Sequence, residues 1–402
     1  MAFEMSAAGE QRLEAYFSGI GELLGDRRRR ASFALYAMGI LGEHDRKSVE
    51  PLAAAAGAEP AEAQRLHDHL LHFVNHSEWD DRPVREYATR YALRAIEERR
   101  EAISAWIVDD TGFLKQGKHS PGVQRQYTGS AGKTANCQIA VSLTVATDTE
   151  HVPIAMQLYL PESWTRDRTR CAKAKIPATA EYRPKWKMAL RMIDEAKRAG
   201  VPAGVVLADA AYGNVSEFRS ALRLLDFEYS VGVNATTVVT PVSKVAGVPI
   251  APLSLASLAK KLPRRAYRAT TWRQGSRRAM MSRFAMMKVD AGDDDGAHHV
   301  LLIEWPENEK EPTHFTLAHL RRAPSRKALV RITKARWRTE RVYQDLKGEL
   351  GLDHYEGRSF RGWYHHVTVV FCCYAFVLSE RLRHFPPSRG GTRESRALVG
   401  AT

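Results

Sequence analysis

The chain has 402 residues, 44% of them apolar, which is ordinary for a globular protein and too long for one small core, so two or three domains are expected. The net charge of +14, with lysine and arginine spread along most of the length, points to a polyanionic partner, nucleic acid first, and away from a single basic tail. No window reaches the roughly 18–20 consecutive apolar residues of a spanning helix, and no basic start followed by an apolar stretch opens the chain, so neither a membrane nor a secretory signal is expected and the protein reads as cytoplasmic.

Residues 1–100 read as an all-helical unit, with apolar residues at helical spacing in YFSGIGELL, SFALYAMGIL and LHDHLLHFV and no strand signal between them. The run Arg27, Arg28, Arg29, Arg30 is most often a solvated face. At the start of a compact helical unit it also suits a DNA-binding module, possible helix-turn-helix geometry included, although no recognition helix stands out.

The character changes at Trp106. AWIVDD has the pattern of a buried strand ending in two aspartates, CQIAVSLTVATD and VPIAMQLYLP read as two more strands, and KWKMALRMIDEAKRAG as an amphipathic helix stopped by Gly200 and Pro202. GVVLADAAYG is a second buried strand, ending at Asp209, followed by the helix SEFRSALRLLD and the strand FEYSVGV. Three strands, then helix, strand, helix, strand describe a mixed α/β sheet of ribonuclease H type over 101–233. Residues 234–324 break that rhythm with short strand-like pieces and basic turns, a β-rich basic insertion. Its acidic triplet Asp293 to Asp295 reads as a solvated loop. The second part of the core follows at 325–385, and 386–402, rich in Pro, Gly, Ser and Arg, reads as a disordered tail.

Arg331 to Leu352 contains no proline, and no glycine before Gly348. As a helix it puts Arg336, Glu340, Tyr343 and Lys347 at steps of four, three and four, one stripe that is polar where a core stripe would be apolar. A salt-bridge ladder is the plain alternative, at only ~0.2–0.5 kcal/mol per pair. With Asp109 and Asp209 at strand ends, however, Glu340 supplies a third hard oxygen donor. Such a set suits Mg²⁺, with Mn²⁺ able to substitute, and two ions can drive an in-line phosphoryl displacement. Successive strand residues point to opposite faces, so Asp109 and its neighbour Asp110 cannot both enter such a site.

GSAGKT at 129–134 resembles a phosphate-binding P-loop, but Tyr127 stands where the motif needs glycine, and a strand follows where a helix is required. It reads as a loop whose Lys133 could meet phosphate, as could Lys115 just beyond the first aspartates. The adjacent pairs His298/His299 and His365/His366 cannot ligate one metal and read as structural. The four cysteines lack CxxC spacing and read as reduced, buried hydrophobes, with no zinc site or disulfide framework. Trp272, beside Arg273 and near Arg277 and Arg278, could stack on an unpaired base over the active-site cleft, although a single tryptophan is more often core.

These segments resemble the bacterial insertion-sequence transposases of the DDE superfamily. In one branch the last acid lies in a signature Tyr-x2-Arg-x3-Glu-x6-Lys. Arg336, Glu340 and Lys347 match its spacing, while Thr333 stands in the tyrosine position. VDDTGFLKQG resembles the first-aspartate segment, VLADAAYG the second-aspartate strand, and LKGELGLDHYEGRSFRGWYHH the stretch after the glutamate. The resemblance implies Asp109, Asp209 and Glu340 as metal-binding catalytic triad and a divalent metal as sole cofactor. It further implies a nucleoid-associated enzyme that cleaves and joins duplex DNA at terminal inverted repeats and target, working as a homodimer on DNA. A DNA-binding repressor or co-opted host protein on the same scaffold is the alternative.

Overall fold

The computed structural model describes residues 6–242, 250–274 and 279–384. The tail at 386–402 and the arginines Arg277 and Arg278 lie outside them.

The N-terminal quarter is helical, as its periodicity predicts: α1 Ala7–Leu24, α2 Arg27–Leu41, α3 Val49–Ala56, α4 Pro60–Asn75 and α5 Asp81–Glu98. Side-chain caps open several of them. Ser6 accepts from the Gly9 amide, Asp26 from those of Arg28 and Arg29, and Asp80 from that of Arg82.

The first sheet strand, β1 (Ala105–Leu114), carries both aspartates, and β2 (Gln124–Thr128), β3 (Lys133–Ala146) and β4 (His151–Leu158) follow as antiparallel neighbours. Two short helices, α6 (Glu162–Thr165) and α7 (Arg168–Lys173), lead to the amphipathic α8 (Lys185–Arg198). The chain then adds β5 (Val205–Ala208), α9 (Ala210–Gly213), α10 (Ser216–Leu224) and β6 (Tyr229–Val233). β5 runs parallel to β1 and β6 parallel to β5, giving the spatial order β4, β3, β1, β5, β6. Three antiparallel strands followed by two parallel ones, with helical crossovers, is the ribonuclease H-like arrangement.

The insertion comprises β7 (Val238–Pro241), β8 (Leu253–Ser254), α11 (Leu255–Lys261), β9 (Arg268–Gln274), β10 (Ala279–Asp290), β11 (His298–Trp305) and β12 (His314–His319). It prolongs the sheet edgewise: β12 pairs antiparallel with β6, and β11, β10 and β7 continue outward. A separate apolar cluster, including Val239, Leu258, Val289 and Leu317, supports this half.

The solvated loop expected at Asp293 to Asp295 holds for the exposed Asp294 and Asp295 and is corrected at Asp293. Asp293 is buried between Arg219 and Arg223 of α10, its carboxylate accepting from Arg223 at 2.9 Å, with His299 at 3.4 Å. A carboxylate placed there needs its cations, and they tie the β10–β11 turn to α10.

The single helix expected over 331–352 is divided into α12 (Arg326–Lys334), α13 (Trp337–Gln344) and a π turn at Asp345–Glu349. The last helix, α14 (Phe360–His384), is buried along most of its length, and α1, α2, α4 and α5 pack around it. Tyr16 donates to the Cys372 carbonyl at 3.0 Å and Tyr36 to His366 Nδ1 at 2.8 Å, and one continuous core runs from the N-terminal helices through α14 to the sheet. All four cysteines are free and buried, and no helix among the described residues is long and apolar enough to cross a membrane.

Candidate active site

The register of β1 against β5 pairs Ile107 with Leu207, so continuing both strands by two residues brings Asp109 beside Asp209. Asp209 follows β5 directly and caps α9, its carboxylate accepting from the Ala211 amide at 2.9 Å. Asp109 is 9% exposed. Its carboxyl is raised to about 7, chiefly by burial, with the Arg336 guanidinium and the Asp110 amide pulling it down and the charges of Asp209 and Asp110 raising it again. Alternation along β1 sends Asp110 to the opposite face, where it pairs with Lys185 at the start of α8.

The polar stripe does face β1. Arg336 Nη1 donates to Asp109 at 3.0 Å, the Tyr343 hydroxyl meets Ser142 Oγ at 2.6 Å, and Lys347 Nζ donates to the Gly112 carbonyl at 2.7 Å. Ser142 is the residue paired with Asp109 across β1 and β3, so Tyr343 sits over the same rung. Gly112 is required by close approach: a Cβ there would lie 1.9 Å from Thr128 Oγ1, where the β2–β3 hairpin closes onto β1. The tip of that hairpin, the GSAGKT segment, is a turn, and its Ser130 bonds both the amide and the carbonyl of Gly112.

Glu340 occupies the same stripe between Arg336 and Tyr343 but is exposed, with neither ion pair nor hydrogen bond among the described residues. Asp109 and Asp209 are therefore brought together, and Glu340 remains exposed on the stripe. Among the described residues no group of three His, Cys, Asp or Glu side chains is gathered closely enough to hold a metal ion.

Three contributors escape a reading of the sequence. Lys185 begins an ordinary amphipathic helix, and only the fold carries it to Asp110. Ser130 lies in a loop that resembles something else. Tyr212 is buried with its hydroxyl unpartnered among the described residues, and its phenol is pushed far up, first by burial and then by the charges of Asp110 and Asp109, with Tyr343 and Asp209 adding to them. Its signal was faint: an aromatic three residues beyond a strand-end aspartate.

The side chains expected to meet phosphate divide. Arg27, Arg28 and Arg30 are exposed at the start of α2, Arg29 is half-buried, and Lys133 is exposed on β3. Lys115 is turned inward, donating to the Tyr355 carbonyl at 2.6 Å, and burial lowers its ammonium pKa. Trp272 is half-buried edge-on to Phe284, with the Lys334 ammonium 4.6 Å from its ring. Arg273 stacks on Trp337 of α13 at 3.9 Å, so the insertion touches the helix that carries Glu340.

Comparison with known proteins bears on this arrangement. The chain is 27% identical over 224 residues to a probable transposase for insertion sequence element IS701 from Microchaete diplosiphon, an alignment covering 56% of this chain and 54% of the relative. The chain thus spans about half the length of the curated relative it matches. Among solved structures, a piggyBac transposase synaptic complex with hairpin DNA overlaps at a TM-score of 0.41 and 10% identity, covering 92% of this chain and 75% of that one. The NurA nuclease from Sulfolobus solfataricus overlaps at 0.27 and 7% identity, covering 62% and 80%. Neither overlap is large enough to bear on function. The family match is broader: residues 20–279 fit the family described as DDE superfamily endonuclease, a span that takes in Asp109 and Asp209 and ends before α12. A match over well more than half of the chain, centred on the strands that pair the two aspartates, makes this protein a member of the DDE superfamily of endonucleases.

Proposed function

We propose that the protein is a DNA transposase. It binds the ends of its element as duplex DNA, hydrolyses a phosphodiester to free a 3′-hydroxyl and joins that end to target DNA, acting as a homodimer that holds two ends together. The observation that carries this reading is the pairing of Asp109, within β1, with Asp209, just past the end of the adjacent β5, beneath a stripe in which Arg336 and Tyr343 reach the same rung of the sheet. The family membership and the relative's name point the same way.

The donors fit a hard divalent cation of the Mg²⁺ or Mn²⁺ kind. Two carboxylates converge, a buried tyrosine hydroxyl beside them lacks a partner, and Glu340 is a free carboxylate on the facing stripe. Asp109, Asp209 and Glu340 would hold a pair of such ions, which would supply charge neutralisation at the phosphate and a lowered pKa for the attacking oxygen. The chain's own residues do the rest. Lys185 neutralises Asp110 on the far face, so that Asp109 alone presents negative charge to the cleft beside Asp209. Arg336 is within reach of Asp109 and can meet a non-bridging phosphate oxygen by the same donors. Lys347, committed to Gly112 and Ser130, holds the hairpin against β1 and orients the strand.

Purified full-length protein, incubated with a duplex carrying the ends of its element and Mg²⁺ or Mn²⁺, should yield both a cleaved strand and a joined product. Cleavage without joining would make it a nuclease, and end binding with neither step would favour a repressor or co-opted protein.

A further inference from the structure

The loop that leaves β1 and the helix α7 form a basic cleft of about 290 Å³ that the active site does not use. Lys118 and His119 line one wall and Arg170 and Lys173 the other, with Asp167 as the acid among the lining residues. That carboxylate is occupied in capping α7, accepting from the Arg170 amide at 2.9 Å. Lys118, His119 and Lys173 are exposed and have no ion pair with an acid among the described residues.

The platform beneath is rigid. The Arg170 guanidinium stacks on the buried Trp164 at 3.7 Å and donates to the Lys118 carbonyl at 2.8 Å, which clamps the loop to the helix. Val123, Leu160, Cys171 and Ile176 pack below it as a separate apolar cluster. Lys118, Arg170 and Lys173 outnumber the one lining carboxylate, Asp167, so the cleft keeps a net positive charge and a polyanion is the ligand that this surface fits.

Position selects which polyanion. The cleft begins at Lys118, nine residues beyond Asp109, a stretch that spans at most about 30 Å of extended chain. That places it within about nine base pairs at about 3.4 Å each along one strand. We infer that this cleft is a second duplex-DNA contact, in which Lys118 and Lys173 hold backbone phosphates of the DNA flanking the scissile bond. The inference rests on the transposase reading and extends it to a surface beyond the carboxylates.

The test uses the full-length protein in metal-free buffer and a duplex of about 30 base pairs of arbitrary sequence, with binding followed by fluorescence anisotropy across a salt series. Two pairs of substitutions are compared with wild type, Lys118→Ala with Lys173→Ala and Lys118→Glu with Lys173→Glu, and thermal melting should be unchanged because both side chains are exposed. The alanine pair should lower the slope of log K against log salt by about 1.8, at about 0.9 per phosphate contact, and the glutamate pair should weaken binding further. Slopes equal to wild type overturn the inference while leaving the transposase reading intact. So does loss of inorganic phosphate binding by calorimetry with the DNA slope unchanged, which would make the cleft a small-anion site. Salt-independent duplex binding by wild type would overturn both.

Discussion

Arg336 Nη1 donates to Asp109 Oδ2 at 3.0 Å, a contact between residues 227 positions apart in the chain. It joins the polar stripe of α13 and the π turn to the strand that carries the first acid, and it distinguishes Asp109 from Asp110, whose partner Lys185 lies on the other face. The substitutions Asp109→Ala, Asp209→Ala and Glu340→Ala should each cut cleavage by more than the about 10–100-fold typical of lost outer-shell partners, with duplex affinity largely retained. Asp110→Ala should fall within that smaller range. Gel-based cleavage and anisotropy on the same preparations decide it, and an inactive Asp110→Ala beside an active Asp109→Ala would reverse the assignment.

His366 lies wholly buried between the N-terminal helices and α14, with Nε2 donating to the Gly351 carbonyl at 3.0 Å and Nδ1 accepting from Tyr36 at 2.8 Å. Burial pushes its imidazole down from 6.5 to about 4. Between those two values the unfolded chain binds a proton that the native state refuses, so stability is full above about pH 6.5 and falls as pH drops toward 4. The loss is at most about 3.4 kcal/mol at about 1.36 kcal/mol per pH unit. His366→Gln should be less stable than wild type at pH 7, with the gap in melting temperature closing near pH 4. Parallel curves would mean that the ring titrates normally.

Asp293 anchors the insertion to α10 through Arg219 and Arg223, whose side chains are 3% and 9% exposed. Removing one partner of a buried pair leaves uncompensated charge, so Asp293→Ala should cost about 3–5 kcal/mol in urea unfolding. Asp294, exposed beside it, should tolerate the same change with an effect under about 0.5 kcal/mol.

Trp272 shares an apolar cluster with Phe284, Leu302 and Leu329, which favours a packing role over base stacking. Because it is only half-buried, Trp272→Ala should cost less than the about 3–5 kcal/mol of a full core deletion. Cleavage should decline only in proportion to the folded fraction, and a loss of cleavage with melting unchanged would restore the stacking role.

The sheet was legible where burial repeats along short segments. VVLAD ends in its aspartate as read, but the strand begun by AWIVDD runs on through TGFL to Leu114, so Asp109 and Asp110 lie within β1 and not at its end. The stripe from Arg336 to Lys347 kept its face although the helix is broken, since Ala335 and Arg336 still hold right-handed helical angles. What the sequence hid depends on contacts distant in the chain. The polar character of Asp293 resembles that of any surface acid until Arg219 and Arg223 are placed around it. Lys115 and Lys347 resemble phosphate ligands until the carbonyls they meet are known. The insertion's strands gave no sign that β12 would pair with β6, because edge pairing leaves no mark in local periodicity.

The helical first 100 residues read as a self-contained module, yet their apolar faces are completed by α14. Tyr16, Tyr36 and Phe73 are all buried in a core that also includes Trp363, Phe371 and Phe376. Arg12 adds a two-pronged pair with Glu380, its Nε donating to one carboxylate oxygen at 2.7 Å. A fragment ending near residue 100 would expose that surface to water at about 25 cal/mol per Å² of apolar area, and a small helical unit has little stability to spare. Such a fragment should melt non-cooperatively or aggregate. Adding residues 355–384 as a separate peptide or through a flexible linker should recover a cooperative transition by circular dichroism. Only that complemented form should then retain duplex binding through Arg27 to Arg30. A fragment of the first 100 residues that folds sharply alone and binds duplex DNA would show that α14 only docks onto an already stable module.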